Sequence, residues 1–367
     1  MNVNGVEFCP GCMNPAQGEH CPLCGSDLHR ENPSFLLPVG AVLPKPGLPP
    51  HKGYHVGAVL GQGGFGATYI GQDGASGRRV AIKEYFPTRC AQRSDDGHTV
   101  EPLPGMDEIY EGGRYSFVKE ARVLSELEGM PSVVQALAYL EINNTAYLVM
   151  EYLDGTPLHR MVDPKTGKRI PPEKLLPPLK GLLHNISLLH DKKVIHRDIA
   201  PDNIMWMPDG TLKLLDFGSA RSMEDGKSMT VMLKHGFAPV EQYQSHGQGT
   251  YTDVYAMAAT IYYCLTATVP MQSTERLLGG DSAQLKRPTA LGVALAPEEE
   301  DALMWGLEVL PQARPQTMGE FARRLFPDLA PHLSPAPAPA PAPPSPPPFQ
   351  SSIWQRFLDF LRRIVNK

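Results

Sequence analysis

The sequence of 367 residues predicts an α+β fold assembled from several pieces. Short β-type runs at Val80–Lys83, 146–153 and Thr211–Leu215 alternate with stretches of helical period, chiefly Phe117, Ala121 and Leu124 and a second set between Ile353 and Val365. Two Cys-x-x-Cys pairs lie in the first 30 residues, and proline-rich stretches at 31–53 and 330–348 mark where one piece ends and the next begins.

The first piece is 1–30. Cys9-Pro10-Gly11-Cys12 and Cys21-Pro22-Leu23-Cys24-Gly25 are two short knuckles, each able to turn a pair of thiolates inward. Four thiolates complete a tetrahedral Zn²⁺ shell with no open position, so the expected metal is structural and the stretch resembles a small zinc ribbon. Disulfides are the other reading, and a reducing compartment disfavours them; a redox Cys-x-x-Cys belongs beside a βαβ unit, which is not found here. With so little apolar content, folding of this piece is expected to be driven by the metal. His20 reads as exposed beside Cys21, and Cys90 and Cys264 read as free thiols. Residues 31–53 carry Pro33, Pro38, Pro44, Pro46, Pro49 and Pro50 and read as an extended linker, with Phe35, Leu36, Leu37, Val39 and Val42 apolar enough to lie against the next piece of the chain.

The residues that carry chemistry come next. The stretch Leu60-Gly61-Gln62-Gly63-Gly64-Phe65-Gly66-Ala67-Thr68 is glycine-rich in a spacing that lets backbone approach phosphates, and Val80-Ala81-Ile82-Lys83 is a β-type run ending in a cation. Phe117, Ala121 and Leu124 repeat at helical spacing, which turns Glu120 out of that core stripe. Ala146 to Leu153 reads as a buried strand that includes Met150 and Glu151. Within His196-Arg197-Asp198-Ile199-Ala200-Pro201-Asp202-Asn203 an acid precedes an amide, and Asp216-Phe217-Gly218 adds a second acid after a β-type run. Phosphoryl transfer from a nucleotide needs such a set: a carboxylate to orient a hydroxyl, with an Asp and an Asn to hold Mg²⁺.

Taken in order, these motifs resemble a eukaryotic-like protein kinase over residues 54 to 329. The Gly-Gly-Phe-Gly loop, Lys83-Glu84-Tyr85-Phe86-Pro87 and Phe237-Ala238-Pro239-Val240-Glu241-Gln242-Tyr243 are similar to a bacterial branch of the serine/threonine kinases. The resemblance implies a two-lobed protein-kinase-like fold, with an N-lobe at about 54–151 and a C-lobe at about 152–329. It implies ATP and Mg²⁺ as cofactors, Asp198 as the catalytic carboxylate, Lys83 paired with Glu120 on the phosphates, and Asn203 and Asp216 on the metal. Residues 60 to 68, with Ala81 and Glu151, would line the ATP site, and Met150 would be the gatekeeper. Glu241 would pair with Arg314 of Pro311-Gln312-Ala313-Arg314-Pro315, and Asp253 would brace the catalytic loop. The long segment between Lys83 and Glu120, rich in Gly, Pro, Asp and Ser, reads as mostly irregular.

Two positions depart from the pattern. Ala200 stands where most serine/threonine kinases place a lysine on the transferring phosphate; tyrosine kinases compensate with an arginine two residues later, and this chain has Asp202 there. Lys234, in the activation segment, is the candidate replacement. Thr68 replaces a valine that packs on adenine, and it keeps the β-branch. Arg197 ahead of Asp198 implies activation-segment phosphorylation, with Ser228 and Thr230 as the candidate sites.

The C-terminal pieces differ in character. The Pro/Ala tract at 330–348 reads as a semi-rigid spacer. Residues 349–367 gather Ile353, Trp354, Phe357, Leu358, Phe360, Leu361, Ile364 and Val365 on one arc, with Arg356, Arg362, Arg363 and Lys367 on the other. This amphipathic helix is expected to dock on a partner, a second copy, its own kinase domain or a membrane surface. A net charge of −5 argues against a general nucleic-acid binder. With no apolar run after Met1 and no stretch of about 18 apolar residues, the expectation is a cytosolic chain, peripheral at the inner face of the membrane if the helix meets lipid. The expected function is transfer of the ATP γ-phosphate to Ser/Thr hydroxyls of proteins, its own included; the alternative is a nucleotide-binding scaffold recruiting partners through the ribbon and helix.

Overall fold

The computed structural model describes residues 2–3, 5–217, 221–222, 233–244, 247–279 and 284–329. Gly218, Ser228, Thr230, the tract at 330–348 and the helix expected at 349–367 lie outside the described residues. The chain divides into two compact units, Met1–Asp154 and Gly155–Lys367.

The N-terminal unit opens on a small hairpin, β1 (Asn2–Val3) with β2 (Val6–Glu7), followed by the two cysteine knuckles. Its sheet has six antiparallel strands in the order β3 (Val42–Leu43), β4 (Tyr54–Gly63), β5 (Gly66–Asp73), β6 (Arg79–Tyr85), β10 (Thr145–Glu151) and β9 (Ala136–Ile142). Strand β6 shows the two-residue period of a sheet with unlike faces: Val80, Ile82 and Glu84 are buried, while Ala81 and Lys83 on the opposite face are half-buried. Strand β10 is buried from Thr145 to Met150, as its unbroken apolar run requires. Helix α1 (Asp107–Glu126) packs on β9 and β10 through Tyr110, Phe117, Ala121 and Leu124, and its first turn carries Asp107 and Glu108, which suit the positive end of the helix dipole.

Two segments carry more regular structure than the sequence predicts for them, although the packing of Leu36 and Leu37 follows from their apolar character. Residues 31–53 supply β3 to the sheet edge and bury Leu36, Leu37, Ala41 and Leu43. The prolines lie outside the two-residue ladder, where a missing N–H costs nothing. Between Lys83 and Glu120, a hairpin of β7 (Ala91–Arg93) and β8 (Val100–Pro102) precedes α1. Arg93 fastens it, with Nη1 and Nη2 each 2.8 Å from one Glu84 carboxylate oxygen and the guanidinium lying over the Phe86 ring.

The C-terminal unit is mostly helical. It runs β11 (Thr156–Pro157), α2 (Leu158–Met161), α3 (Pro172–Asp191), β12 (Val194–Ile195), β13 (Ile204–Trp206), β14 (Leu212–Leu214), β15 (Arg221–Ser222), α4 (Thr250–Thr266), α5 (Ser273–Gly279), α6 (Pro297–Gly306) and α7 (Met318–Leu325). Helix α4 is buried all round from Thr252 to Thr266, so it is the centre of this unit, with α3, α6 and α7 packed on it. Residues 196–203 form the loop between β12 and β13. Among the described residues, no helix is long and apolar enough to cross a membrane.

Candidate active site and metal centre

The phosphate-holding residues expected from the sequence lie in the N-terminal unit. The hairpin of β4 and β5 pairs Gly61 with Thr68, Gln62 with Ala67 and Gly63 with Gly66, leaving Gly64 and Phe65 at its turn. Its glycines have different reasons. A Cβ on Gly66 would sit 1.8 Å from the Glu84 carbonyl oxygen, so the fold itself forbids a side chain there, whereas a Cβ on Gly61 or Gly63 would meet nothing within 4 Å. The last two leave open space, which is what a bound phosphate would need. Leu60 and Phe65 are exposed and Ala67 is buried.

Lys83 and Glu120 are brought together. Lys83 Nζ is 2.8 Å from Glu120 Oε1 and lies over the Phe117 ring. Strand register sets Lys83 opposite Thr68 on one side and Leu148 on the other. Ala81 pairs with Met150, and the Glu151 carboxylate accepts the Gln135 N–H at 3.0 Å.

The acid and amide residues lie in the C-terminal unit, held by a buried acid. Asp253, with no exposed surface, accepts the backbone N–H groups of His196 at 2.8 Å and Arg197 at 2.7 Å, and bonds His190 Nε2 at 2.8 Å. Burial alone would raise its pKa, but the bond and charge of His190 and the backbone donor outweigh it and hold Asp253 below the ordinary carboxylate range. This anchoring offsets the left-handed backbone of Arg197, at φ 67°. Asn203 Nδ2 then donates both to the Asp198 carbonyl at 2.9 Å and to its Oδ2 at 2.8 Å. The Asn203 carbonyl accepts the Leu215 N–H at 2.8 Å, which ties the strand before Asp216 to the loop. The His196 ring bonds the Leu215 carbonyl and meets Phe217 edge-on at 4.7 Å. Asp216 takes φ 47°, the left-handed turn that ends this strand segment.

Burial pushes the Asp198 carboxyl above its ordinary range; the Lys234 charge pulls it down, and Asp216 pushes it back up. Further along, Arg314 reaches Glu241 with Nη2 2.9 Å from Oε2 and Nη1 3.2 Å from Oε1, and also donates to the carbonyls of Tyr251 and Val309. Thr252 Oγ1 adds a third donor to Glu241.

The four cysteines of the first piece converge. Their sulfur atoms all lie within 4.8 Å of one another, with Cys9 Sγ 3.6 Å from Cys24 Sγ and Cys12 Sγ 3.7 Å from Cys21 Sγ. A tetrahedral zinc–thiolate site with bonds near 2.3 Å has sulfur–sulfur edges of about 3.8 Å, so the set fits Zn²⁺. The Gly11 N–H and Asn14 Nδ2 point at Cys9 and Cys12 sulfur, as donors to thiolates should. Apart from the cysteines, the core of this piece is little more than Ala16 and Leu28.

Sequence reasoning passed over Glu84, which bonds Arg93 and also the Tyr69 hydroxyl at 2.7 Å. A charged residue on the buried face of a β-type run, at Lys83-Glu84-Tyr85, was the available signal. It also passed over Asn32, whose amide bonds the Leu37 and Gly57 carbonyls and the Val59 N–H.

Comparison with known proteins agrees with this geometry. A family model described as protein kinase domain matches residues 54–315. Serine/threonine-protein kinase pkn2 of Myxococcus xanthus is 31% identical over 58% of this chain and 24% of its own length. Serine/threonine-protein kinase PknA of a Nostoc species is 30% identical over 60% of this chain and 38% of its own length, so the match takes in well under half of either relative. Among solved structures, "PpkA-294 apo form" is 32% identical, with a TM-score of 0.64, covering 79% of this chain and 99% of that one. The chain belongs to the protein kinase family, as a eukaryotic-like serine/threonine kinase domain with bacterial relatives. Its fold is the two-lobed kinase fold, sheet-rich in the N-lobe and helical in the C-lobe, and the family implies ATP and Mg²⁺.

Proposed function

We propose that this chain transfers the γ-phosphoryl group of ATP to serine and threonine hydroxyls of proteins, its own among them. The observation that supports this most is the formed Lys83–Glu120 ion pair at 2.8 Å, since that pair must be in place for a kinase to hold its nucleotide productively. In this reading Lys83 holds phosphate oxygens and Asp198 orients the substrate hydroxyl and takes its proton. Asn203 and Asp216 would hold Mg²⁺, which when bound neutralises charge on the phosphates. Cys9, Cys12, Cys21 and Cys24 hold a structural Zn²⁺, and the sulfur separations support it. Ser228 and Thr230 are the proposed autophosphorylation sites, and residues 349–367 the proposed docking element, in a cytosolic protein.

Zinc-replete protein incubated with Mg·ATP should gain phosphate on Ser or Thr by mass spectrometry, and D198N should gain none. Protein that binds Mg·ATP but gains no phosphate in either form would sink the transferase reading in favour of a scaffold.

A further inference from the structure

Transfer of a phosphoryl group spreads negative charge over its three equatorial oxygens, and a cation aimed there is among the stronger devices available to an enzyme. The loop after Asp198 reads Ile199-Ala200-Pro201-Asp202-Asn203 and carries no cation. Ala200 is fully buried, so that position presents neither charge nor a donor toward Asp198.

A cation nonetheless stands beside Asp198, delivered from elsewhere in the chain. Lys234 Nζ is 3.2 Å from Asp198 Oδ1 and 3.0 Å from the Asp202 carboxylate. Its backbone is fixed: the Lys234 carbonyl accepts the N–H groups of Phe237 and Ala238, both at 3.0 Å. Two further bonds tie the segment down, Ser273 Oγ to the Ala238 carbonyl at 2.8 Å and Gln242 Nε2 to the Arg197 carbonyl at 2.6 Å. Asp198 and Lys234 line one small open pocket with Arg197, Phe237 and Gln242.

We infer that Lys234 is a catalytic residue, supplying to the transferring phosphoryl group the positive charge that the catalytic loop lacks. The inference rests on the kinase reading. Asp202 then has a purpose of its own: an acid four residues past Asp198 anchors a lysine that arrives from the activation segment. A purely structural role fits the burial poorly. The side chains of Lys234 and Asp202 remain 28% and 49% exposed, and ion pairs so open to water contribute only about 0–1 kcal/mol to stability.

In the step itself, the serine or threonine oxygen attacks the γ-phosphorus while its proton passes to Asp198. The new O–P bond forms as the bond to the β-phosphate oxygen breaks, and that electron pair leaves on ADP. Lys234 donates hydrogen bonds to the γ-phosphoryl oxygens throughout and neither gains nor loses a proton.

The test is single-turnover phosphoryl transfer by full-length wild type, K234A, K234R and D198N, with Mg·ATP affinity and thermal melting measured on each. K234A should lose about 10²- to 10³-fold in rate, the cost of removing one aimed donor, with Mg·ATP affinity and melting close to wild type. K234R keeps the charge and should recover most of that loss. K234A transferring within about threefold of wild type would overturn the proposal and leave the kinase reading standing. So would loss of rate in K234A and K234R alike, together with lost Mg·ATP binding or a lowered melting point, since Lys234 would then be structural. Wild type no more active than D198N would remove the kinase reading, and Lys234's role with it.

Discussion

The two cysteine knuckles make the same turn in opposite surroundings. In each, the carbonyl of the first cysteine accepts the N–H four residues on, Met13 to Cys9 and Gly25 to Cys21, both at 2.9 Å. In each, that fourth residue adopts left-handed backbone, at φ 54° for Met13 and φ 73° for Gly25. Gly25 is the residue that conformation favours; a side chain there would meet nothing within 4 Å, and the adjacent Leu23 and Cys24 are exposed. Met13 is instead 2% exposed. Its side chain lies against Gly57 of β4, where an added Cβ would come within 2.3 Å of Met13 Cε and 2.6 Å of the Pro10 carbonyl oxygen. That carbonyl accepts the Ala58 N–H at 2.8 Å. One knuckle therefore closes the thiolate set and faces solvent, while the other completes the outer edge of the strand whose far end is the glycine-rich turn. The strain of a left-handed methionine is offset by what its side chain buries, and the cysteine cluster is continuous with the kinase sheet.

Removing the proposed zinc is the largest perturbation that separates the two knuckles. Structural zinc in small sites contributes on the order of 10 kcal/mol or more at neutral pH, far beyond what a core of Ala16 and Leu28 can replace. Chelation, or C9S, should therefore unfold residues 5–30. If the Cys9 knuckle is part of the sheet edge, hydrogen exchange at Ala58 should speed up at the same time, while Ala81 and Lys83 in β6 stay protected. Unchanged protection at Ala58 after zinc loss would mean that the knuckle merely sits near the strand.

A smaller perturbation works from the other side of the contact. G57A puts a methyl group into Met13 Cε and the Pro10 carbonyl, and overpacking of this kind costs about 1–3 kcal/mol. Because part of the clash is with a flexible side-chain end, G57A combined with M13A should cost less than the sum of the two changes. Thermal melting of the four proteins decides it, and strict additivity would break the claim that Met13 is what fills the space over Gly57.

How far these features are legible in sequence depends on how far apart their parts lie and what sets their register. Asp198 and Asn203, or the cysteines of one knuckle, are neighbours in sequence, so residue type and spacing announce them. Lys83 with Glu120 and Glu241 with Arg314 are distant, but each sits inside a motif whose order along the chain points to the other. Arg93 with Glu84 has no such marker, because their meeting depends on how the hairpin of β7 and β8 folds back. In residues 31–53 the apolar side chains signal packing, but proline-rich extended chain gives no sign of which two residues join a sheet edge, so the pairing of Val42 and Leu43 is not legible. Met13 over Gly57 is a tertiary contact between an irregular turn and a strand glycine, and neither residue type hints at the other.

The finest test compares the two left-handed positions directly. At Gly25, alanine would have space but the wrong backbone preference, so G25A should cost about 1 kcal/mol, the ordinary penalty of left-handed L-residues. At Met13, glycine would relieve a strain of similar size but forfeit a buried side chain worth about 1.5–3 kcal/mol, so M13G should be destabilising on balance, by up to about 2 kcal/mol. Both substitutions leave the four thiolates untouched, so zinc stoichiometry should hold at one per chain while the melting temperature falls. M13G that melted above wild type would show that strain outweighs burial at that turn. The docked knuckle would then be held by the Pro10–Ala58 hydrogen bond, with Met13 tolerated and not required.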